Sequence, residues 1–460
     1  MAIVTRLSKA CTVNPLKMSQ TIGAALAFLG LDRCMPLLHG AQGCTAFGLV
    51  LFVRHFREAI PLQTTAMSEV TTIMGGMDNV EQAILNIYNR AHPAVIGICS
   101  TGLAETQGED VEGFLRIIRA RHPELAAVAL VFVSTPDYEG AFQDGWSQAV
   151  TRMVEELAEP AGHRQPQRIN ILPGSHLTPG DIEELRETAE AFGFDAQVIP
   201  DLSGSLDGHV PEDFCPTTHG GASLSAIRGC GTATFTLAVG EQMRAPAEAL
   251  KRKTGVPYHL FPRLTGLAAA DDLIELLSER SGRPVPAKYR RQRSQLVDAM
   301  LDGHFAFAGK QVAIAAEPDL LAAVAPWFAE MGAKIAAAVT TTESPVLAAL
   351  PTDEVLIGDL ADLESRAGRC DLLVTHAHGR QMAARLGRPL LRMGLPLFDR
   401  LGGAHRTIIG YRGTRDLVFE AGNMLSAQTE EQHASRGDEH RKLQEAVSFS
   451  DAAGSGGQCL

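Results

Sequence analysis

Short apolar runs alternate with amphipathic helical stretches along almost the whole chain, which is the pattern of βαβ units laid on parallel sheets. It recurs in three blocks. The first, residues 1–162, holds candidate strands at Met35–Gly40, Ala94–Ser100 and Ala126–Thr135. Within it, Thr106-Gln107-Gly108-Glu109 has the form of a capping box. The helix it predicts carries Val111, Phe114, Leu115 and Ile118 on one face and stops near His122-Pro123. A Pro- and Gln-rich stretch, Pro160–Arg168, reads as a linker.

The second block, residues 163–304, opens with a strand running from Arg168 into the turn Pro173-Gly174. Thr178-Pro179-Gly180-Asp181 marks a helix start, with proline at the first helical position, and the helix Ile182–Phe192 stops at Gly193. Further strands are expected at Ala196–Pro200, Thr232–Val239 and Tyr258–Phe261. The third block, residues 305–427, has strands expected at 311–316, Lys334–Val339, Glu354–Ile357 and Asp371–Thr375, with a helix Leu320–Met331 stopped by Gly332. Leu417, Val418, Ala421, Met424 and Leu425 share one face of a last helix. The polar tail, residues 428–460, has the composition of a disordered segment. The patterning predicts three Rossmann-like α/β domains with mainly parallel sheets flanked by helices.

Composition narrows the class of protein. A chain of 460 residues with 45% hydrophobic and 20% charged residues is an ordinary globular one, long enough for three domains. A net charge of −12 argues against a general nucleic-acid binder, because phosphate binding needs a basic surface. No apolar stretch reaches the ~20 residues of a membrane span, and the first residues lack a signal peptide's apolar core. The eight cysteines, at 11, 34, 44, 99, 215, 230, 370 and 459, are scattered and read as free thiols or ligands in a reducing cytoplasm.

Cys44 is the most informative of them. It lies in His39-Gly40-Ala41-Gln42-Gly43-Cys44-Thr45, after an expected strand and just before an expected helix. A helix N-terminus favours the thiolate, which is the metal-binding form. A cysteine in a Gly-rich loop is also commonly just a small buried hydrophobe. No CxxC or CxxH surrounds it, and an iron–sulfur cluster needs about four ligands. If Cys44 is a ligand, the others come from another chain.

Other candidates are weaker. Cys99 closes an apolar strand and reads as core, although Gly102 just beyond it opens a helix where α/β proteins place ligands. Cys215 and Cys230 flank His219-Gly220-Gly221 at a spacing that matches no established metal pattern. Cys11, Cys34 and Cys370 read as structural, and Cys459 as incidental. His376 and His378 suit backbone hydrogen bonding better than metal binding. No GxGxxG follows the first strand of a block and GxxxxGK[ST] is absent, so no nucleotide site is expected; nor is there a Ser-His-Asp or paired-carboxylate arrangement.

Several segments together resemble the nitrogenase component 1 family: Asn14–Gln20, His39–Phe47, Arg54–Glu58, Ser100–Asp110, Asn170–Gly174, His378–Arg380, Leu391–Gly403 and Gly410–Thr414. The resemblance covers the chain up to the tail. In that family the catalytic β subunit supplies three cysteines to an eight-iron P-cluster, and the matching positions here are Ser19, Cys44 and Gly102. Only the middle one is a cysteine. The resemblance therefore implies a simpler [4Fe–4S] cluster shared across an interface, held here by Cys44 with Ser19, Gly43 and Gly102 around it. It implies no catalytic residue on this chain.

Further expectations come from the same resemblance. The role expected is that of the β-like half of a scaffold for building the iron–molybdenum cofactor, to which the short segment before Asn14 is also suited. A NifE-like chain would be the partner, in a heterotetramer of two pairs, and would hold most of the cofactor precursor. The Fe protein (NifH) would dock across the pair, with apo-component 1 and a donor of the cofactor core as transient partners. Nucleic acid and membrane are not expected partners, and the cytoplasm is the expected location. The β subunit of a catalytic nitrogenase or related reductase is the alternative.

Overall fold

In the computed structural model, which describes residues 1–7, 9, 14–210 and 212–428, every strand lies in one of three parallel sheets with helices packed on their faces. The first sheet has the spatial order Gln63–Thr64, Cys34–His39, Val95–Ser100, Ala129–Val133. The second runs Asp195–Val198, Arg168–Leu172, Phe235–Val239, Tyr258–Phe261. The third has six strands: Ile3–Arg6, Glu354–Ile357, Lys334–Thr340, Gln311–Ala315, Leu372–Thr375 and Leu390–Arg392. Several of the central strands are buried along their whole length, which is why they read as unbroken apolar runs rather than as alternating ones.

Three details differ from the sequence expectation. Residues Ile3–Arg6, placed by sequence in the first block, form an edge strand of the third sheet, paired in register with Glu354–Ile357. The segment 106–109 is not a capping box. Thr106 belongs to a short helix, Gly102–Gln107, which ends at the left-handed Gly108, and Asp110 caps the next helix by accepting from the Gly113 N–H at 2.8 Å. The helix carrying Cys44 begins three residues earlier than expected, at Gln42, so that Cys44 lies inside its first turn. By contrast, Thr178 and Asp181 form a reciprocal cap with Pro179 in the first turn, as the sequence indicates. The polar tail from residue 429, with Cys459, and Cys11 lie outside the described residues.

A wholly buried helix, Gln20–Leu29, lies at the centre of the first domain. Its small residues let it pack on the helix Phe142–Leu157 almost backbone to backbone. A Cβ on Gly23 would overlap the Phe142 carbonyl, and one on Gly145 the Gln20 carbonyl. Trp146, fully buried, donates its indole N–H to the Pro173 carbonyl at 3.0 Å and so joins the first domain to the second. The Asp181 carboxylate accepts from the Ile408 N–H at 2.7 Å and joins the second domain to the third.

His176 lies where the three domains meet, in a small cavity it shares with Met18, Leu320 and Met393, and neither ring nitrogen has a protein partner. Burial pushes its pKa down to about 4. The folded state holds the ring neutral, while the unfolded chain protonates it near the usual 6.5. Its contribution to stability is therefore present above pH ~6.5 and is lost as pH falls toward 4. In His176→Leu that titration is absent. Urea unfolding is expected to show the wild type losing about 2 kcal/mol more than the variant between pH 8 and pH 5. Equal losses would mean that the ring is not held neutral.

Candidate functional site

The carboxyl ends of parallel strands are where α/β folds expose loops to ligands, and the three positions singled out by sequence converge on that edge of the first sheet. The strands Cys34–His39 and Val95–Ser100 pair with His39 opposite Ser100, so the loops that follow them are neighbours. Thr101 holds them together: its N–H and its hydroxyl both donate to the His39 carbonyl, at 3.1 and 3.0 Å. Gly40 is required there, because a Cβ would run into the Thr101 side chain. His39 is itself fixed, with Nε2 2.6 Å from the Glu109 carboxylate and Nδ1 3.0 Å from the Thr65 hydroxyl.

Cys44 is the third residue of the helix Gln42–Phe56 and is exposed. Ala41, the residue before the helix, gives no side-chain cap, so the first-turn amides face outward without one. Beside it, Gly43 has open space where a Cβ would project. The expectation that the helix terminus lowers the thiol pKa is not met. Desolvation pushes it up, the Asp137 carboxylate adds to that, and the hydrogen bond to the cysteine's own amide offsets only part. The free thiol is therefore held protonated.

Ser19 and Gly102 flank the same place without competing for it. Ser19 caps the central helix, its hydroxyl accepting from the Ile22 N–H at 3.4 Å. Gly102 opens its helix and donates its N–H to Asp137 Oδ2 at 3.0 Å. The other oxygen, Asp137 Oδ1, accepts from the Thr21 hydroxyl at 3.0 Å. Asp137 thus joins Gly102 to Thr21 of the central helix and places a charge near Cys44, and the sequence reading missed it. The signal was available: it lies just past the strand Ala129–Val133, at the same sheet edge that drew attention to Gly102.

The outer face of the Cys44 helix is apolar where solvent would be expected. Phe47 is 61% exposed, Val50 55% and Val53 40%. Val70 and Ile73, on the nearby short helix Glu69–Met74, are also exposed. An exposed apolar patch of this kind beside an accessible thiol is a candidate protein–protein contact. At its far end the Cys44 helix docks on the third domain: the half-buried His55 accepts from the Leu397 N–H at 2.9 Å, and the Arg54 guanidinium lies over the Phe398 ring.

Among the described residues no three His, Cys, Asp or Glu side chains are grouped to hold a metal ion. Cys215 and Cys230 do not converge: Cys230 is buried in the core, and the half-buried Cys215 thiol lies 3.3 Å from the Thr217 hydroxyl. The His376 ring is engaged with backbone as expected, with the Leu16 carbonyl through Nε2 and with the His378 N–H through Nδ1, while the His378 ring packs edge-on against His376 and Phe398. Cys34, Cys99 and Cys370 are buried. Among the described residues the site offers one exposed thiol, Cys44, with open space at Gly43, so an iron–sulfur cluster fits these residues as a group shared with another chain.

This arrangement and the three-sheet fold go with a match of residues 19–426 to the nitrogenase component 1 type oxidoreductases, and the chain belongs to that family. Its curated relatives include the "nitrogenase iron-molybdenum cofactor biosynthesis protein NifN" of Bradyrhizobium diazoefficiens, 58% identical over 436 residues that cover 94% of this chain and 93% of the relative. The protein of that name from Klebsiella pneumoniae is 40% identical over 430 residues, covering 92% of this chain and 93% of the relative. A solved structure, "Nitrogenase Cp1 at pH 6.5", superposes with a TM-score of 0.87 at 30% identity, over 92% of this chain and 95% of that one.

Proposed function

We propose that this chain is a subunit of the scaffold on which the iron–molybdenum cofactor of nitrogenase is built, and that Cys44 holds one corner of a [4Fe–4S] cluster shared with a NifE-like chain. The observation that carries this reading is Cys44, the one exposed thiol among the described residues, beside an uncovered apolar helix face, with a helix-capping serine at 19 and no side chain at 102. A β subunit binding an eight-iron cluster needs more ligands than that. The names of the relatives support the same role.

A [4Fe–4S] cluster, when bound, supplies one-electron transfer. The protein's own part follows from the site. The thiol stays protonated until metal displaces the proton, so ligation is coupled to proton release. Pairing covers Phe47, Val50 and Val53 and shuts water away from the cluster. The cofactor precursor belongs mainly to the NifE-like chain, and two such pairs form a heterotetramer. The Fe protein docks across the pair, while apo-component 1 and the donor of the cofactor core bind transiently. The scaffold carries and passes on a cofactor rather than turning over a substrate, and it works in the cytoplasm. Among the described residues no helix is long and apolar enough to cross a membrane.

The test is an activation assay. The purified pair, supplied with the iron–sulfur core, molybdate, homocitrate, Fe protein and MgATP, should activate apo-component 1 while showing no nitrogenase-level substrate reduction itself. Substrate reduction by the pair at the rate of component 1, or failure to activate, would overturn the reading.

A further inference from the structure

Asp137 has no part in the ligand set described above, yet it stands against Gly102 and its charge reaches Cys44. Its carboxylate is gripped from two sides, by the Gly102 N–H at 3.0 Å and by the Thr21 hydroxyl at 3.0 Å. The loop that carries it is tied down by Gln20, whose side-chain amide donates to the Glu139 carbonyl at 2.8 Å. A Cβ on Gly102 would stand 3.2 Å from both the Asp137 Cβ and its Oδ2. Any side chain at 102 would therefore start in tight contact with Asp137. The side chain is exposed in the isolated chain, on the edge where Cys44 is also exposed.

We propose that Asp137 is a positioning residue for the interface cluster, a fixed negative charge held beside the position that lacks a side chain at 102, and that it lowers the cluster's reduction potential. The inference rests on the shared-cluster reading above. The physical reason is direct: net charge and hydrogen bonding around an iron–sulfur cluster set its potential, and a carboxylate near it disfavours adding an electron. A flexible surface carboxylate would be screened and averaged by solvent. This one is held in one orientation by two donors on the protein side, and once the apolar face is covered it has less water to screen it. Both oxygens already accept hydrogen bonds, which suits a fixed charge better than an iron ligand.

The experiment uses the holo pair of this chain with its NifE-like partner, comparing wild type, Asp137→Asn, Asp137→Glu and Cys44→Ala. Asparagine can keep the geometry. Its oxygen accepts from Gly102, and its amide donates to the Thr21 hydroxyl, which lies 3.1 Å from both the Ser100 and Thr135 carbonyls and can donate there instead. Iron per pair and an EPR-monitored redox titration are the readouts. Asp137→Asn should keep its iron and shift the midpoint potential upward, so that the reduced-to-oxidised ratio at a fixed potential rises roughly tenfold. Asp137→Glu, which restores the charge, should titrate as wild type. An unshifted potential in Asp137→Asn with iron intact overturns the inference, as does loss of iron in both Asp137 variants. Retention of all iron in Cys44→Ala instead overturns the shared-cluster reading itself.

Discussion

With aspartate in place of both Phe47 and Val50, this chain is expected to fold normally and to lose its pairing with the NifE-like subunit. In the isolated chain these side chains are 61% and 55% exposed, so the folded monomer gains little from them and should unfold at the wild-type urea midpoint. In the proposed pairing they form the apolar contact beside Cys44. Burying a large apolar side chain is worth about 1.5–3 kcal/mol, and burying an unpaired carboxylate in its place costs more. Two such changes should weaken association by at least about a thousandfold. Sedimentation of the mixed subunits reads this directly. A double variant that still forms the heterotetramer at wild-type affinity would show that the Cys44 helix faces solvent in the assembly, and the shared-cluster account would fall.

The regular part of the fold was legible because the physics that writes it is local. The strand Tyr258–Phe261 lies where its apolar run places it, and Pro179 sits in the first turn of its helix behind the Thr178 cap. Gly193 and Gly332 follow their helices with positive φ, as helix-stopping glycines do. What escaped is non-local. Ile3–Arg6 is a four-residue strand whose partner, Glu354–Ile357, lies near the far end of the chain, and nothing in its own pattern says so. The misread capping box at 106–109 has the right residues, but Thr106 is already inside a helix that starts at Gly102.

The candidate positions share one sheet edge, but the electrostatics there differ from the sequence expectation. Ser19, Cys44 and Gly102 are far apart in sequence and are brought to one sheet edge because each follows or caps an element that ends there. The expectation of an easily ionised Cys44 considered only the helix terminus. Desolvation of the thiol and the Asp137 charge act against it and are larger. Neither can be read from the residues beside Cys44, since Asp137 arrives from another loop. The apolar face of the Cys44 helix was equally hidden, because Phe47, Val50 and Val53 have the look of a core stripe until the fold leaves them uncovered.

The central claim is that this chain supplies one thiolate to a cluster that exists only between two chains. It is tested most directly by iron analysis and EPR of the purified pair, wild type against Cys44→Ala. The account predicts that the substitution removes about four irons per pair and the signal of one [4Fe–4S] cluster, while each subunit stays folded. Cys44 is exposed and caps no helix, so its side chain contributes little to the fold itself. Unchanged iron and an unchanged spectrum would make Cys44 a surface residue and contradict the account.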